Sequence, residues 1–166
     1  MNTKDKAFAL DQIAAAAILA TNDGVMPSGM VRWQYVDAGG MPIDGTGGFC
    51  NLVVDAGKAY IASRICGVAM NAISHVAIGS GTTAAAAGQT ALVTETARVA
   101  ISSATPVANV ATYIATVPAG TGTGAVEEVG LFNAAAAGTM VARALTGSIT
   151  KPAGLGLQFT WTITIS

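Results

Sequence analysis

The chain has 166 residues and a formal net charge of −1; only 10% of its residues are charged and 5% aromatic, while Ala, Gly and Thr together fill 73 positions. Such a chain carries no basic footprint for a phosphate backbone, so nucleic acid is not expected as a partner, and at 52% hydrophobic residues it is too apolar to stay disordered. Its longest strictly apolar run, residues 13–20, falls well short of the roughly 20 residues that span a bilayer, so no membrane partner is expected either, and a surface with so little charge is expected to be partly covered by other subunits.

In chain order, residues 5–20 favour a helix, because alanine is the best helix former and Phe8, Ile13 and Ala16 trace a narrow stripe. Lys4 and Lys6 ahead of an apolar stretch loosely resemble a signal peptide, but Asp5, Asp11 and Gln12 interrupt the pattern. The segment is read as an Ala-rich helical arm that buries its surface against another chain, since an exposed helix of this length is marginal in water. Thr21-Asn22-Asp23-Gly24 ends it. Residues 31–36 alternate Val31, Trp33 and Tyr35 against Arg32 and Gln34, the period of a half-buried strand. Residues 37–48 hold five glycines and a proline, and read as a loop or hairpin connection.

Residues 55–66 read as a helix with Asp55 as N-cap, Ala59, Ile61, Ala62, Ile65 and Cys66 on its apolar side, Lys58 and Arg64 on its polar side, and Gly67 as its stop. From Ser74 onward the pattern is strand and turn. Strands are expected over 74–78, 92–101, 110–117, 126–132, 139–145 and 157–165, with Gly- and Ala-rich connections at 79–88, 119–124 and 133–138. The last strand is the clearest: Leu157, Phe159, Trp161, Ile163 and Ile165 face one way, and Gln158, Thr160, Thr162 and Thr164 the other. Phe159 and Trp161 are expected in the core. The expected fold class is mainly β, an antiparallel sandwich or small barrel with one covering helix and an N-terminal helical arm. The chain divides into an arm at 1–50 and a β domain at 51–166.

Residues able to do chemistry are few. Cys50 and Cys66 have no zinc spacing and read as small buried hydrophobes, with a disulfide open if their Cα atoms lie within about 7 Å. The one histidine, His75, follows Ser74 on a short strand; alternation would point the two to opposite faces and forbid a nucleophile–base contact. No metal constellation or cofactor motif is present. Gly79-Ser80-Gly81-Thr82-Thr83 lacks the lysine of a phosphate-binding loop, and Gly120 to Gly124 leads into a strand rather than a helix, so both read as turns. Glu127 and Glu128 are neighbours on opposite faces of any strand, the wrong geometry for an acid/base pair. Four charges remain: Glu95, Arg98, Glu128 and Arg143. They are candidates for a cross-strand ion-pair network that fixes register or crosses a subunit interface, in preference to a catalytic cluster. No catalytic residue is assigned.

The ordered segments Asn51-Leu52-Val53-Val54-Asp55-Ala56-Gly57-Lys58, Ile73-Ser74-His75-Val76-Ala77-Ile78-Gly79-Ser80-Gly81, Thr90-Ala91-Leu92 with Glu95 and Arg98, Glu128-Val129-Gly130-Leu131-Phe132-Asn133, and Gly138-Thr139-Met140 with Arg143 resemble the tail-collar fibre module of tailed bacteriophages. The resemblance covers residues 51–166. It implies a non-enzymatic, oligomeric virion component, with a trimer favoured and other phage virion proteins as partners. Tail fibres usually continue into a shaft and receptor-binding tip, whereas here the sequence ends at Ser166 and residues 1–50 precede the module. The expectation is therefore a tail or neck attachment protein. A capsid decoration protein is the alternative, and a receptor- or carbohydrate-binding module the minor one.

Overall fold

The computed structural model describes residues 27–166. The expected helical arm therefore lies outside the described residues. Nine strands run β1 (Pro27–Val36), β2 (Pro42–Val53), β3 (His75–Gly79), β4 (Glu95–Ala100), β5 (Ser103–Val107), β6 (Val110–Val117), β7 (Gly124–Phe132), β8 (Met140–Lys151) and β9 (Gly156–Ile165), with a helix α1 (Asp55–Ile65) after β2. All strand pairs are antiparallel, in the order β4-β3-β7-β8-β2-β1-β9-β6-β5. The fold is mainly β, with 55% of the described residues in strands, and the sheet curls into a half-barrel. β4 and β5 are the outermost strands of the order, yet only Ile101 and Ser102 lie between them in the chain. So short a link forces the two ends of the sheet together, and β4 packs against β6.

Alternation decides which face fills the curl. On β9, Leu157, Phe159, Trp161 and Ile163 are buried, as their spacing predicts, and they meet Val31 of β1, Ala115 and Val117 of β6, and Val129 and Leu131 of β7 in one core. The opposite face of the same strands is polar. Gln34 donates to Gln158, and Gln158 to Thr116, so a side-chain ladder crosses β1, β9 and β6 at 2.8 and 3.3 Å.

Residues 42–48 are strand, not loop. The glycines there serve packing rather than turning. A Cβ at Gly47 would fall 2.7 Å from the Trp33 indole nitrogen, and one at Gly45 2.6 Å from the Tyr35 ring, so two aromatic rings of β1 lie over bare backbone of β2. β1 lies between β2 and β9, and residue 50 falls within β2, so residues 27–50 share one sheet with the strands after them in the chain.

The helix forms where expected, but its cap and buried face differ. Val54 is the N-cap and makes no side-chain cap; Asp55 instead pairs with Lys58 at 3.1 Å in solvent. The buried residues are Gly57 and Tyr60, while Ala59, Ala62, Ile65 and Cys66 stay outside the core. Gly57 sets this rotation: a Cβ there would stand 2.0 Å from the Val141 carbonyl oxygen, so the helix rests its glycine directly on the β8 backbone. Gly67 ends the helix with φ +74°; its N–H donates to the Arg64 carbonyl and that of Val68 to the Ser63 carbonyl, a Schellman closure.

Candidate functional site

Half of the sheet is covered on both faces. The connection 80–94 folds over the outer side of β3, β7 and β8, where Leu92 joins Val54, Ala77, Phe132 and Met140 in a second apolar cluster. Gly130 makes room for it, since a Cβ there would come within 2.9 Å of Leu92. This explains why Val76, Ala77, Ile78 and Gly79 are all buried in succession.

Under that connection lie Glu128 and Arg143, both fully buried and paired at 2.8 Å, with a second contact from Arg143 Nε to Glu128 Oε2 at 2.9 Å. The two sit on adjacent strands, β7 and β8. The Glu128 carboxylate also accepts backbone N–H bonds from Gly81 at 3.2 Å, Val93 at 3.0 Å and Thr94 at 2.7 Å. Arg143 donates to the Thr83 carbonyl at 2.8 Å and to the Gln89 amide oxygen at 3.0 Å, and Gln89 in turn accepts from Ala86 N–H. The ion pair thus clasps both ends and the middle of a loop that has no ladder of its own to satisfy its backbone. The Gly-Ser-Gly run cradles an anion after all, and that anion belongs to the protein: Cβ atoms at Gly79 and Gly81 would lie 2.7 and 2.4 Å from Glu128 Oε1.

Glu95 and Arg98 form a separate pair. Arg98 meets Glu95 through two bonds, 2.9 Å from Nε and 2.7 Å from Nη2. Its other Nη donates to the carbonyls of Ala134 and Ala137, and its guanidinium lies 3.7 Å above the centre of the Phe132 ring. Arg98 therefore ties down the connection 133–138, which Asn133 closes by accepting Thr139 N–H at 2.7 Å. Among the described residues no hydrogen bond or ion pair joins the two pairs; each holds its own loop.

A third cation is one that spacing alone does not single out. Lys151 is buried, and its ammonium donates to the carbonyls of Pro118 and Leu155 at 2.9 Å each, fastening two turns to the end of β8. Burial pushes its pKa below the usual 10.5. Only its place beside Pro152, just after the β-branched pair Ile149-Thr150, hints at this in the sequence. Glu127 sits at an irregularity in the β7–β8 register, between Val126 and Glu128, and accepts from Ser148 at 2.8 Å.

Two expectations are corrected. Ser74 Oγ and His75 Nδ1 lie 2.8 Å apart. Strand alternation does not govern them, because β3 begins only at His75. Cys50 and Cys66 are exposed free thiols, not buried hydrophobes: Cys50 is on the β2 stretch that pairs with β1, and Cys66 caps a helix end turned to solvent. Among the described residues no group of three or more His, Cys, Asp or Glu is placed to hold a metal, and no helix is long and apolar enough to cross a membrane.

Helix α1 and strands β5, β6 and β9 border a groove of about 610 Å³. Tyr60 and Tyr113 both face it, and Tyr60 donates its hydroxyl to the Asn71 carbonyl at 2.9 Å. Burial, with the neighbouring Tyr60 as a smaller cause, raises the Tyr113 pKa above 10.0.

These are the features of a β module whose buried charges serve its own loops. A family model for the phage tail-collar fibre protein, N-terminal, matches residues 46–166. The chain belongs to the phage tail-collar fibre family, and it is a structural component of the phage virion. Membership implies association with other virion proteins. No curated protein and no solved structure matches the chain.

Proposed function

We propose that the chain is a non-enzymatic docking module that assembles as a homotrimer and fastens to the tail or neck through subunit–subunit contacts. The family match over residues 46–166 carries the reading. The side chains support it: Glu95, Arg98, Glu128 and Arg143 each direct their charge to a partner within the chain, and the pairs they form hold its loops. A module built this way keeps its shape under load while offering plain surfaces to neighbours. Gold-labelled antibody against the protein, applied to intact particles, is expected to mark the tail or the neck. Label spread over the head would identify a decoration protein instead and overturn the docking assignment. Light scattering on the purified chain is expected to give three times the 16.4 kDa chain mass; a monomer at micromolar concentration would overturn the trimer.

A further inference from the structure

Almost every charge among the described residues is engaged within the chain. Lys58, Arg64, Arg98, Arg143 and Lys151 each bond a carboxylate or a backbone carbonyl. Asp37, Asp55, Glu95, Glu127 and Glu128 each accept from a partner. Two side chains are left over. Among the described residues, Arg32 is the one cation and Asp44 the one side-chain carboxylate that make no hydrogen bond or ion pair, and both are exposed. They do not satisfy each other: Arg32 stands opposite Gly48 on β2, and Asp44 lies farther along that strand, roughly 10 Å away.

Arg32 lies at a recess. With Gln34, Thr46, Gln158 and Thr160 it lines a pocket of about 350 Å³ across β2, β1 and β9. Its stem runs beside bare backbone, since a Cβ at Gly48 would stand 3.6 Å from Arg32 Cγ. The two glutamines bond each other at 2.8 Å, whereas the Thr46 and Thr160 hydroxyls make no hydrogen bond among the described residues. A free guanidinium and two free hydroxyls, with no carboxylate in the lining, make a seat for a carboxylate.

Asp44 is the matching knob. Ile43 and Thr46 pair with consecutive residues of β1, Tyr35 and Gln34, so Asp44 and Gly45 form a bulge with no partner across the strand. A bulge bends its strand and re-aims the side chains on it, and this one presents a short, unbonded acid to solvent. Knob and recess are different patches of one chain, so a contact between copies is head-to-tail and ends in a ring when its rotation closes. The rest of the pocket lining is neutral, so one pair of opposite charges fixes which surfaces meet and in what register. We infer that Asp44 of one copy enters the Arg32 pocket of the next, where the guanidinium and the Thr46 and Thr160 hydroxyls bond its carboxylate, and that three such contacts close the homotrimer. The inference rests on the trimer proposed above and assigns the contact that builds it.

Light scattering and equilibrium sedimentation on the full-length chain test it, comparing wild type with Arg32→Glu, Asp44→Arg and the double variant that carries both. Each single reversal sets like charges against each other and should raise the concentration for half-assembly by at least about a hundredfold. The double variant should return to within about tenfold of wild type, because the charges have only changed places. Both side chains are exposed and unbonded, so each single variant should keep the wild-type thermal midpoint. Where a reversal lowers it, Arg32→Gln or Asp44→Asn takes its place and should still weaken assembly at least about tenfold. A wild-type trimer that none of these substitutions weakens would overturn the contact and leave the trimer standing. A double variant that stays dissociated would overturn the pairing as well. A wild-type dimer that the single reversals break and the double variant restores would keep the contact and overturn the trimer. A monomeric wild type would overturn both.

Discussion

Arg143 joins a buried ion pair to two contacts on the covering loop. It is fully buried against Glu128, and through that pair it holds residues 81–94 to the outer face of the sheet. Arg143→Ala would strand a buried carboxylate and release two loop contacts, so a loss of about 3–5 kcal/mol is expected from urea unfolding at neutral pH. Lys58→Ala provides the contrast, because its bond to Asp55 is solvent-exposed and worth less than about 1 kcal/mol. Equal losses at the two sites would refute the loop-clasp account. Lys151 gives a pH test. Its folded pKa is lowered by burial, so between that value and 10.5 the unfolded chain binds more protons than the folded one and stability rises with pH. Lys151→Met keeps the buried stem but removes the titration and two hydrogen bonds. The stability advantage of wild type over this variant should grow as pH rises towards 10.5, measured by denaturant midpoints. Tyr113 titrates in both proteins and cancels. A constant difference would mean that Lys151 does not titrate in this range.

At the scale of elements, the helix is the instructive case. Its position was legible because Asp55 and Gly67 punctuate it, but its buried face was not. Hydrophobic spacing favours Ala59, Ala62 and Ile65, whereas the backbone approach at Gly57 turns Tyr60 inward and leaves those three outside. Gly57→Ala improves helix propensity by about 1 kcal/mol. It should nevertheless destabilise the protein, because the new Cβ would sit 2.0 Å from the Val141 carbonyl oxygen. A thermal midpoint at or above wild type would show that the contact gives way. Strand β9 was legible throughout because one face meets the core and the other the polar ladder. β2 was not, because its glycines read as turn residues until Trp33 and Tyr35 are placed across from them. β5, an edge strand with Pro106 and fully exposed, offers no periodic signal at all.

For the whole molecule, scarcity of charge made the candidate residues easy to find, since Glu95, Arg98, Glu128 and Arg143 stand out in a chain with 10% charged residues. Their division into two separate pairs was hidden, because it depends on how the connections 80–94 and 133–138 fold back over the sheet. Each connection is held by an arginine, and the sheet ends are joined by two residues, so the half-barrel resists opening at its loops and at its edges alike. The chain is a member of a virion structural family. Quantitative mass spectrometry of disrupted particles, with heads and tails separated by density, tests the account most directly. The chain should copurify with tails, in a fixed ratio to other tail proteins. Recovery with tail-free heads in large excess over any tail component would contradict it.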